Sequence, residues 1–442
     1  MTSYVPNTKD EQSAMLAKLG FVDFEDLLKH IPDEVRLKRP LAIGEGLCER
    51  DVLAAAQLLA DKNIEFDTIF RGAGAYHHYI PSVVKHLCTR EEFVTAYTPY
   101  QAEISQGILQ AIFEFQTMIC ELCGLEVANA SVYDGATAAG EAMLMTRTRN
   151  KNRVLVSEAI FPHTLQVVRT YCNSYGIDME IIPQKDGKTD ISALKGLIST
   201  DTACVYTGQI SYYGLLEDTE EICAIAHENG ARFVLGISPI AAAVLKSAGE
   251  IGADIAVGEG QPLGMPLSFG GPYLGFMATK KELMRTLPGR IVGQTIDVDA
   301  KRAFVLTLQA REQHIKRERA SSSICSNQAL CALIAGIYMS AMGAQGMREA
   351  AQNSYQNAHY LAREIGSIKG FELAYQGVFF HEFVTHCPMS AQKLSDSLAR
   401  RGILGGLPLA DHDILWCATE CNTKEEMDEL VSILKEEAAK WN

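Results

Sequence analysis

The run Arg232-Phe233-Val234-Leu235-Gly236-Ile237-Ser238-Pro239 and, after a helical stretch over 240–249, the run Asp254-Ile255-Ala256-Val257-Gly258-Glu259-Gly260 decide the fold. Each begins as a short block that is apolar without alternation, the pattern of a strand buried on both faces. The same pattern recurs upstream at Arg153-Val154-Leu155-Val156, Glu180-Ile181-Ile182 and Ala203-Cys204-Val205-Tyr206, with helical stretches at 163–175, 190–198 and 218–229 between the blocks. Short apolar strands alternating with helices predict an α/β class, a mainly parallel sheet held between helices. Tyr273 to Ala278, after a Gly-rich loop, is expected to add an antiparallel strand. Further upstream, Ile104, Ile108, Ile112, Phe115, Ile119 and Leu122 keep a helical period over 103–122, closed by Gly124.

The flanks read differently. Residues 1–65 form an N-terminal helical arm, with amphipathic stretches at 10–19 and 23–30 and a third helix near 50–62. Residues 66–325 form the large unit. Residues 326–442 form a smaller C-terminal α+β unit: helices at 327–342 and 348–366, strands at 371–375 and 378–384, a helix at 390–401, a strand at 413–418 and a last helix at 424–440. The 442 residues carry 40 Lys plus Arg against 54 Asp plus Glu, a formal charge of −14 that argues against a general nucleic-acid binder. Met1-Thr2-Ser3-Tyr4-Val5-Pro6-Asn7 lacks the basic-then-apolar order of a signal peptide, and no run approaches the roughly 18 apolar residues of a membrane span. Twelve cysteines without framework spacing fit a reduced compartment, so a cytoplasmic location is expected.

Chemistry enters at Tyr133-Asp134-Gly135-Ala136-Thr137-Ala138-Ala139-Gly140-Glu141, where small residues lead a loop into a helix. Free N–H groups and the positive helix end make Gly135, Ala136 and Thr137 a candidate phosphate cradle, although a tight turn packed on the sheet is the commoner use of such a sequence. Phe161, just past a strand, offers a face for a flat ring, or simply fills the core. A phosphate cradle early in a large parallel sheet suggests a pyridoxal-phosphate (PLP) enzyme, which needs a lysine amine and an acid facing the pyridinium nitrogen. Where the acid is expected the chain has Ser238. From Ser247 through Thr279 there is no lysine; the loop reads Gly258-Glu259-Gly260-Gln261-Pro262-Leu263-Gly264-Met265. The scaffold has lost both its anchor and its acid.

Longer motifs add to this. Thr98-Pro99-Tyr100-Gln101-Ala102-Glu103-Ile104-Ser105-Gln106-Gly107, Phe115-Gln116-Thr117-Met118, the Gly258 to Gly264 loop, Phe269-Gly270-Gly271-Pro272-Tyr273, Pro288-Gly289-Arg290-Ile291-Val292-Gly293 and Leu308-Gln309-Ala310-Arg311-Glu312-Gln313-His314-Ile315-Lys316-Arg317 resemble the P-protein of the glycine cleavage system. The resemblance runs from about residue 70 to 350. It implies a fold-type-I PLP-dependent transferase architecture. The length matches subunit 1, the alpha chain of the two-chain form found in some bacteria. It also implies that PLP is held covalently by subunit 2 (beta) in an α2β2 heterotetramer. That pair decarboxylates glycine, releases CO2 and passes the aminomethyl group to the lipoyl arm of the H-protein. Three positions depart from the family: Phe161 for the usual His, Ser238 for Asp or Asn, and His77 for Asp.

The resemblance sets the candidate residues. Tyr97, Thr98, Tyr100, Gln101 and Glu103, with Arg311 and His314, are expected to serve the partner's active site or the contact with the carrier protein. Gly135, Ala136, Thr137, Phe161, Ser238 and Gln261 are expected to line a vestigial cofactor pocket. Beside this stand plainer readings: Pro99 and Glu103 suit a first helical turn, and the Arg311 to Arg319 run suits a solvated face. Cys120 and Cys123 form a C-x-x-C that reads as core packing, and no metal site is expected. Two other functions remain open: a stand-alone PLP enzyme using Lys246 or Lys280, and a non-catalytic scaffold of the same fold.

Overall fold

The computed structural model describes residues 6–94, 96–322, 324 and 326–440; Met1 to Val5 of the N-terminal reading lie outside the described residues. The chain divides into two compact units, Met1–Ile64 and Glu65–Asn442. In the first, helix Lys9–Lys18 starts at a capping box in which the Thr8 hydroxyl accepts from the Glu11 N–H and Glu11 accepts from the Thr8 N–H. Asp23 caps a single turn, Phe24–Leu27, and a third helix spans Glu49–Ala60.

The second unit is built on a seven-stranded sheet. Its strands in chain order are β1 (Val127–Ala128), β2 (Arg153–Ser157), β3 (Asp178–Ile182), β4 (Thr202–Gly208), β5 (Arg232–Gly236), β6 (Ile255–Glu259) and β7 (Gly275–Thr279). They lie in the order β1-β7-β6-β5-β4-β2-β3. The five central and outer strands β2 to β6 pair in parallel, while β7 runs antiparallel to both β6 and β1. Burial explains the unbroken apolar blocks. Leu155, Val205, Phe233, Leu235 and Ala256 enter one core, and Val154, Val156, Cys204, Tyr206, Val234 and Val257 enter another on the opposite face. Both faces are dry, so alternation has no reason to appear.

The expected helices hold at Pro162–Tyr175, Ile191–Leu197 and Thr219–Glu228. The stretch 240–249 does not form one helix. It breaks into a 3-10 turn, Ala241–Ala243, and a short helix, Ala248–Ile251, because Ser247 caps a new start and Gly252 stops it at φ 99°. A hairpin absent from the sequence reading, Ile291–Ile296 with Arg302–Thr307, lies against helix Gln106–Cys123; the Gln106 and Gln116 side chains bond its backbone at Phe304 and Val292.

Helices 327–342 and 348–366 are continuous in hydrogen bonding as Ala329–Gly366, interrupted by Gly343 at φ 61° and ψ 178°. This helix includes an 18-residue window of mean hydropathy 1.4, in which Gly336, Ser340 and Gly343 interrupt the apolar residues. One face of it is buried: Cys331, Ala332, Ala335 and Tyr338 enter the large core, and Ala358, Leu361 and Ile365 enter a second core around Trp416, Phe383 and Leu430, while Leu330 is exposed. The second core covers a four-stranded antiparallel sheet of Glu372–Leu373, Glu382–His386, Leu407–Pro408 and Asp413–Cys417.

Candidate functional site

In open parallel sheets, ligands bind beyond the carboxyl ends of the strands. Here a cavity of about 480 Å³ lies there, lined by Gly208, Gly236, Ser238, Gly258 and Glu259 from the ends of β4 to β6. Asp134, Gly135 and Ala136 from the start of helix Gly135–Thr146, Phe161, Tyr76 and Glu382 close it. The expected Gly135, Ala136, Phe161 and Ser238 therefore meet around one space.

Thr137 and Gln261 do not line it. Thr137 serves the helix start: its N–H donates to Asp134 Oδ1 at 2.7 Å, and its hydroxyl accepts from the Asp134 N–H at 3.0 Å. Gln261 is fully buried and clamps the chain at Tyr76, accepting from its N–H at 2.9 Å and donating to its carbonyl at 3.0 Å, with a further bond to Met265 O. Local capping and backbone pairing have absorbed both side chains.

The cavity does not fit PLP. Among the described residues no lysine or arginine lines it. Lys246 is turned to Glu220 at 2.5 Å, and Lys280 to Asp254 at 2.9 Å and to the Gly252 carbonyl at 3.1 Å. Phe161 packs against His163 and edge-on to Tyr212, each with ring centroids 5.7 Å apart. On the cradle itself sits the carboxylate of Glu259: Oε2 accepts from Gly135 N–H at 2.9 Å, and Oε1 from Gln261 and Leu274 N–H at 2.9 and 3.0 Å. Across the cavity Glu382 accepts from Ala73 N–H at 2.6 Å and from the Tyr76 hydroxyl at 2.8 Å. Burial pushes both carboxyls up to about 7, against the lowering effect of these donors. His381, also at the wall, is driven down to about 3 by burial and the neighbouring His78.

The partner-facing candidates form a second cluster. Tyr97 is 90% exposed and shares a 3.0 Å hydrogen bond with Ser326. Tyr100, half exposed, accepts from Arg290 Nη2 at 2.9 Å, and the same guanidinium sits 5.0 Å from the Tyr100 ring. Arg290 also donates to Asn327 Oδ1 at 3.4 Å, and Asn327 in turn reaches Ser131. Arg311 is not at a pocket mouth. It is buried, and its fork donates to the carbonyls of Leu287, Gly289 (2.9 Å) and Leu308 (3.2 Å), pinning the loop that presents Arg290. Burial lowers its pKa without threatening its charge. Thr98 is partly buried, Gln101 and Glu103 are exposed, and His314 is exposed on a separate turn with Glu312 at 3.7 Å. The structure thus brings together Tyr97, Tyr100 and, through the loop, Arg311.

Sequence reasoning missed Arg290, Glu259 and Glu382 as site residues. Arg290 follows a Pro-Gly pair within a quoted motif, a signal that was available. Glu382 comes from a distant strand and had none. His77 is exposed; its carbonyl accepts from Thr419 Oγ1 at 2.6 Å, while the adjacent His78 pairs with Glu420 at 2.7 Å. Cys120 and Cys123 are both thiols whose pKa burial raises, to about 11 at Cys120. Among the described residues no group of three or more His, Cys, Asp or Glu could hold a metal ion.

The sheet order and the position of the cavity place the chain in the fold-type-I class of PLP-dependent enzymes. A sphingosine-1-phosphate lyase of Burkholderia pseudomallei shares this fold at a TM-score of 0.66 and 13% identity, covering 92% of this chain and 93% of that one. Closer relatives narrow the class. The family model of the glycine cleavage system P-protein matches residues 2–434. A probable glycine dehydrogenase (decarboxylating) subunit 1 of Desulfitobacterium hafniense is 48% identical over 440 residues, covering 97% of this chain and 98% of that protein. The corresponding protein of Brevibacillus brevis is also 48% identical, with 98% of both chains covered. A crystal structure of a glycine decarboxylase (P-protein) of the glycine cleavage system, in inhibitor-bound form, superposes at a TM-score of 0.91 with 41% identity, over 98% of this chain and 100% of that one. The chain belongs to the glycine cleavage system P-protein family.

Proposed function

We propose that this chain is the subunit 1 half of a two-chain glycine decarboxylase: with a PLP-bearing subunit 2 it decarboxylates glycine, releases CO2 and hands the aminomethyl group to the lipoyl arm of the H-protein. The observation that carries this reading is a lysine-free, carboxylate-lined cavity in a chain that matches the P-protein family along its whole length. Such a cavity cannot anchor the cofactor, so the chemistry belongs to a partner. PLP bound there supplies the electron sink for loss of the carboxylate.

The residues this chain contributes are those of the outer cluster. Arg290 is a buried guanidinium whose fork is aimed by Asn327 and Tyr100, suited to a carboxylate or phosphate. Tyr97 and Tyr100 present hydroxyl groups from an exposed loop, and Thr98, Gln101 and Glu103 flank them. Arg311 acts at one remove, as the strut under Arg290, and His314 belongs to the rim where a carrier would approach. Two copies of each subunit form the assembly.

Purified alone, the chain is expected to show no visible absorbance from a lysine-bound cofactor. Co-purified with subunit 2 it should give glycine-dependent CO2 exchange in the presence of lipoylated H-protein. A visible band in this chain alone, lost on changing one lysine, would overturn the assignment. Equal exchange by subunit 2 without this chain would leave it a scaffold.

A further inference from the structure

We propose that Glu259 is a built-in anion seated where a cofactor phosphate would sit, so that this chain's own carboxylate keeps phosphorylated ligands out of the cavity. The inference rests on the fold and on the cavity, not on the partnership proposed above.

Helix Gly135–Thr146 runs 12 residues, and its first N–H groups and dipole favour an anion. The Gly135 N–H is taken by Glu259 Oε2 and the Thr137 N–H by Asp134 Oδ1. The fit is close in space as well as in charge. A Cβ at Gly135 would lie 2.8 Å from the Glu259 backbone nitrogen and 2.9 Å from its Cβ, so the strand end reaches the helix start only because residue 135 is glycine.

Glu259 Oε1 is held by two further amides, Gln261 and Leu274, so the side chain has a single place to go. Three backbone donors from three segments converge on one carboxylate. That is the donor set a phosphate would need, already satisfied. A phosphate monoester entering would displace Glu259 into a space walled by Phe161, Tyr273 and Pro262, where Glu382 and Asp134 supply further negative charge and no lysine or arginine offsets it.

The cavity therefore discriminates by charge, and Glu259 is the residue that sets the discrimination. Removing its carboxylate leaves the Gly135, Gln261 and Leu274 amides without an acceptor and opens space in front of them. A buried N–H without a partner is costly, so an incoming phosphate gains what the lost carboxylate supplied.

The test is titration calorimetry and thermal melting of the full chain at pH 8 with inorganic phosphate, pyridoxal 5′-phosphate and, as the unphosphorylated control, pyridoxal. Glu259→Ala is expected to bind phosphate and pyridoxal 5′-phosphate at least about tenfold more tightly than the native chain, and to gain in Tm on adding phosphate, with no gain for pyridoxal. Glu259→Gln, which removes the charge but keeps the space filled, should fall between the native chain and the alanine variant; a Gln variant at the native level would mean that filled space and not charge excludes the phosphate. If Glu259→Ala proves insoluble, Glu259→Ser opens the same space, leaves a hydroxyl for the stranded amides and carries the same expectation. Native chain binding phosphate as tightly as the opened variants would overturn the proposal, as would a folded Ala or Ser variant that gains no affinity.

Discussion

Two regions of the large unit face opposite fates. The cavity at the strand ends keeps the geometry of a cofactor site: a glycine-led helix start, three strand termini ending in glycine or glutamate, and aromatic walls. Its polar groups are spent on one another, Glu259 on Gly135 and Glu382 on Ala73 and Tyr76. In the outer cluster Tyr97 and Tyr100 are exposed, while Arg290 is buried, bonds Tyr100 and Asn327, and sits on a loop whose Gly289 carbonyl Arg311 holds. Polar groups that bond inward hold a structure together, and those propped to face solvent are available to a ligand. On the proposed function the first region serves stability, and the exposed tyrosines of the second serve recognition.

The sharpest way to break the contrast is Arg290→Ala. If the outer cluster serves catalysis in the complex, kcat/KM for glycine-dependent CO2 exchange falls by about a hundredfold, close to 3 kcal/mol, the scale for losing one positioned charged donor. Tyr100→Phe, which keeps the ring under the guanidinium and removes only the hydroxyl, should cost about tenfold. Tyr100→Phe should melt near the native chain, whereas Arg290→Ala, which takes a buried guanidinium from Tyr100 and Asn327, should melt lower and is compared at a temperature where it stays folded. A variant complex with full exchange activity would reduce the cluster to surface structure.

Arg311→Ala should act the other way, through stability. It strands the carbonyls of Leu287, Gly289 and Leu308 and is expected to cost about 3 kcal/mol in a denaturant titration. Arg311→Lys, with one compact charge in place of a fork, should recover only part of this. A loss of activity with no loss of stability would instead place Arg311 among the ligand-binding residues.

The inner region should reveal itself through pH. Glu259 and Glu382 are each raised to about 7, chiefly by burial, from an ordinary carboxyl value near 4.5. The folded chain therefore holds protons that the unfolded chain releases between pH 4.5 and 7. The stability they confer is full below about 4.5 and is lost as pH rises through 7. Glu382→Gln removes one of these groups and should flatten that slope by an amount on the order of 1–3 kcal/mol. Equal slopes in the native and variant chains would mean that Glu382 titrates as an ordinary carboxyl.

How much of this was legible in the sequence follows from which forces are local. The strands were readable because Val154 to Val156 and Phe233 to Leu235 are buried on both faces and so are apolar without a break. The absence of lysine from Ser247 through Thr279 was readable because it is a property of the sequence alone. The hairpin at 291–307 was not, since Gln294, Thr295 and Ile296 are exposed and its stability comes from bonds to Gln106 and Gln116, far away in the chain. Arg311 looked like part of a solvated charge run, and only its carbonyl partners mark it as a strut. Glu259 lay in a quoted motif, but its role depends on Gly135, 124 residues upstream.

The smallest expected effect is also the most discriminating for the inner region. Phe161→His places an imidazole at the cavity wall, the ring expected there from the resemblance, but leaves Glu259 on the cradle. The new imidazole would meet His163 and Tyr212, which already pack on Phe161. With the phosphate donors still occupied, a ring-stacking residue has nothing to hold in place. The variant should therefore differ from the native chain by less than about 1 kcal/mol in stability, as a volume-similar swap at a partly buried wall. It should show no gain in affinity for pyridoxal 5′-phosphate by calorimetry. A clear gain from this single change would mean that the missing ring contact, and not the filled cradle, keeps the cavity free of cofactor, and the division between the two regions would have to be redrawn around Phe161.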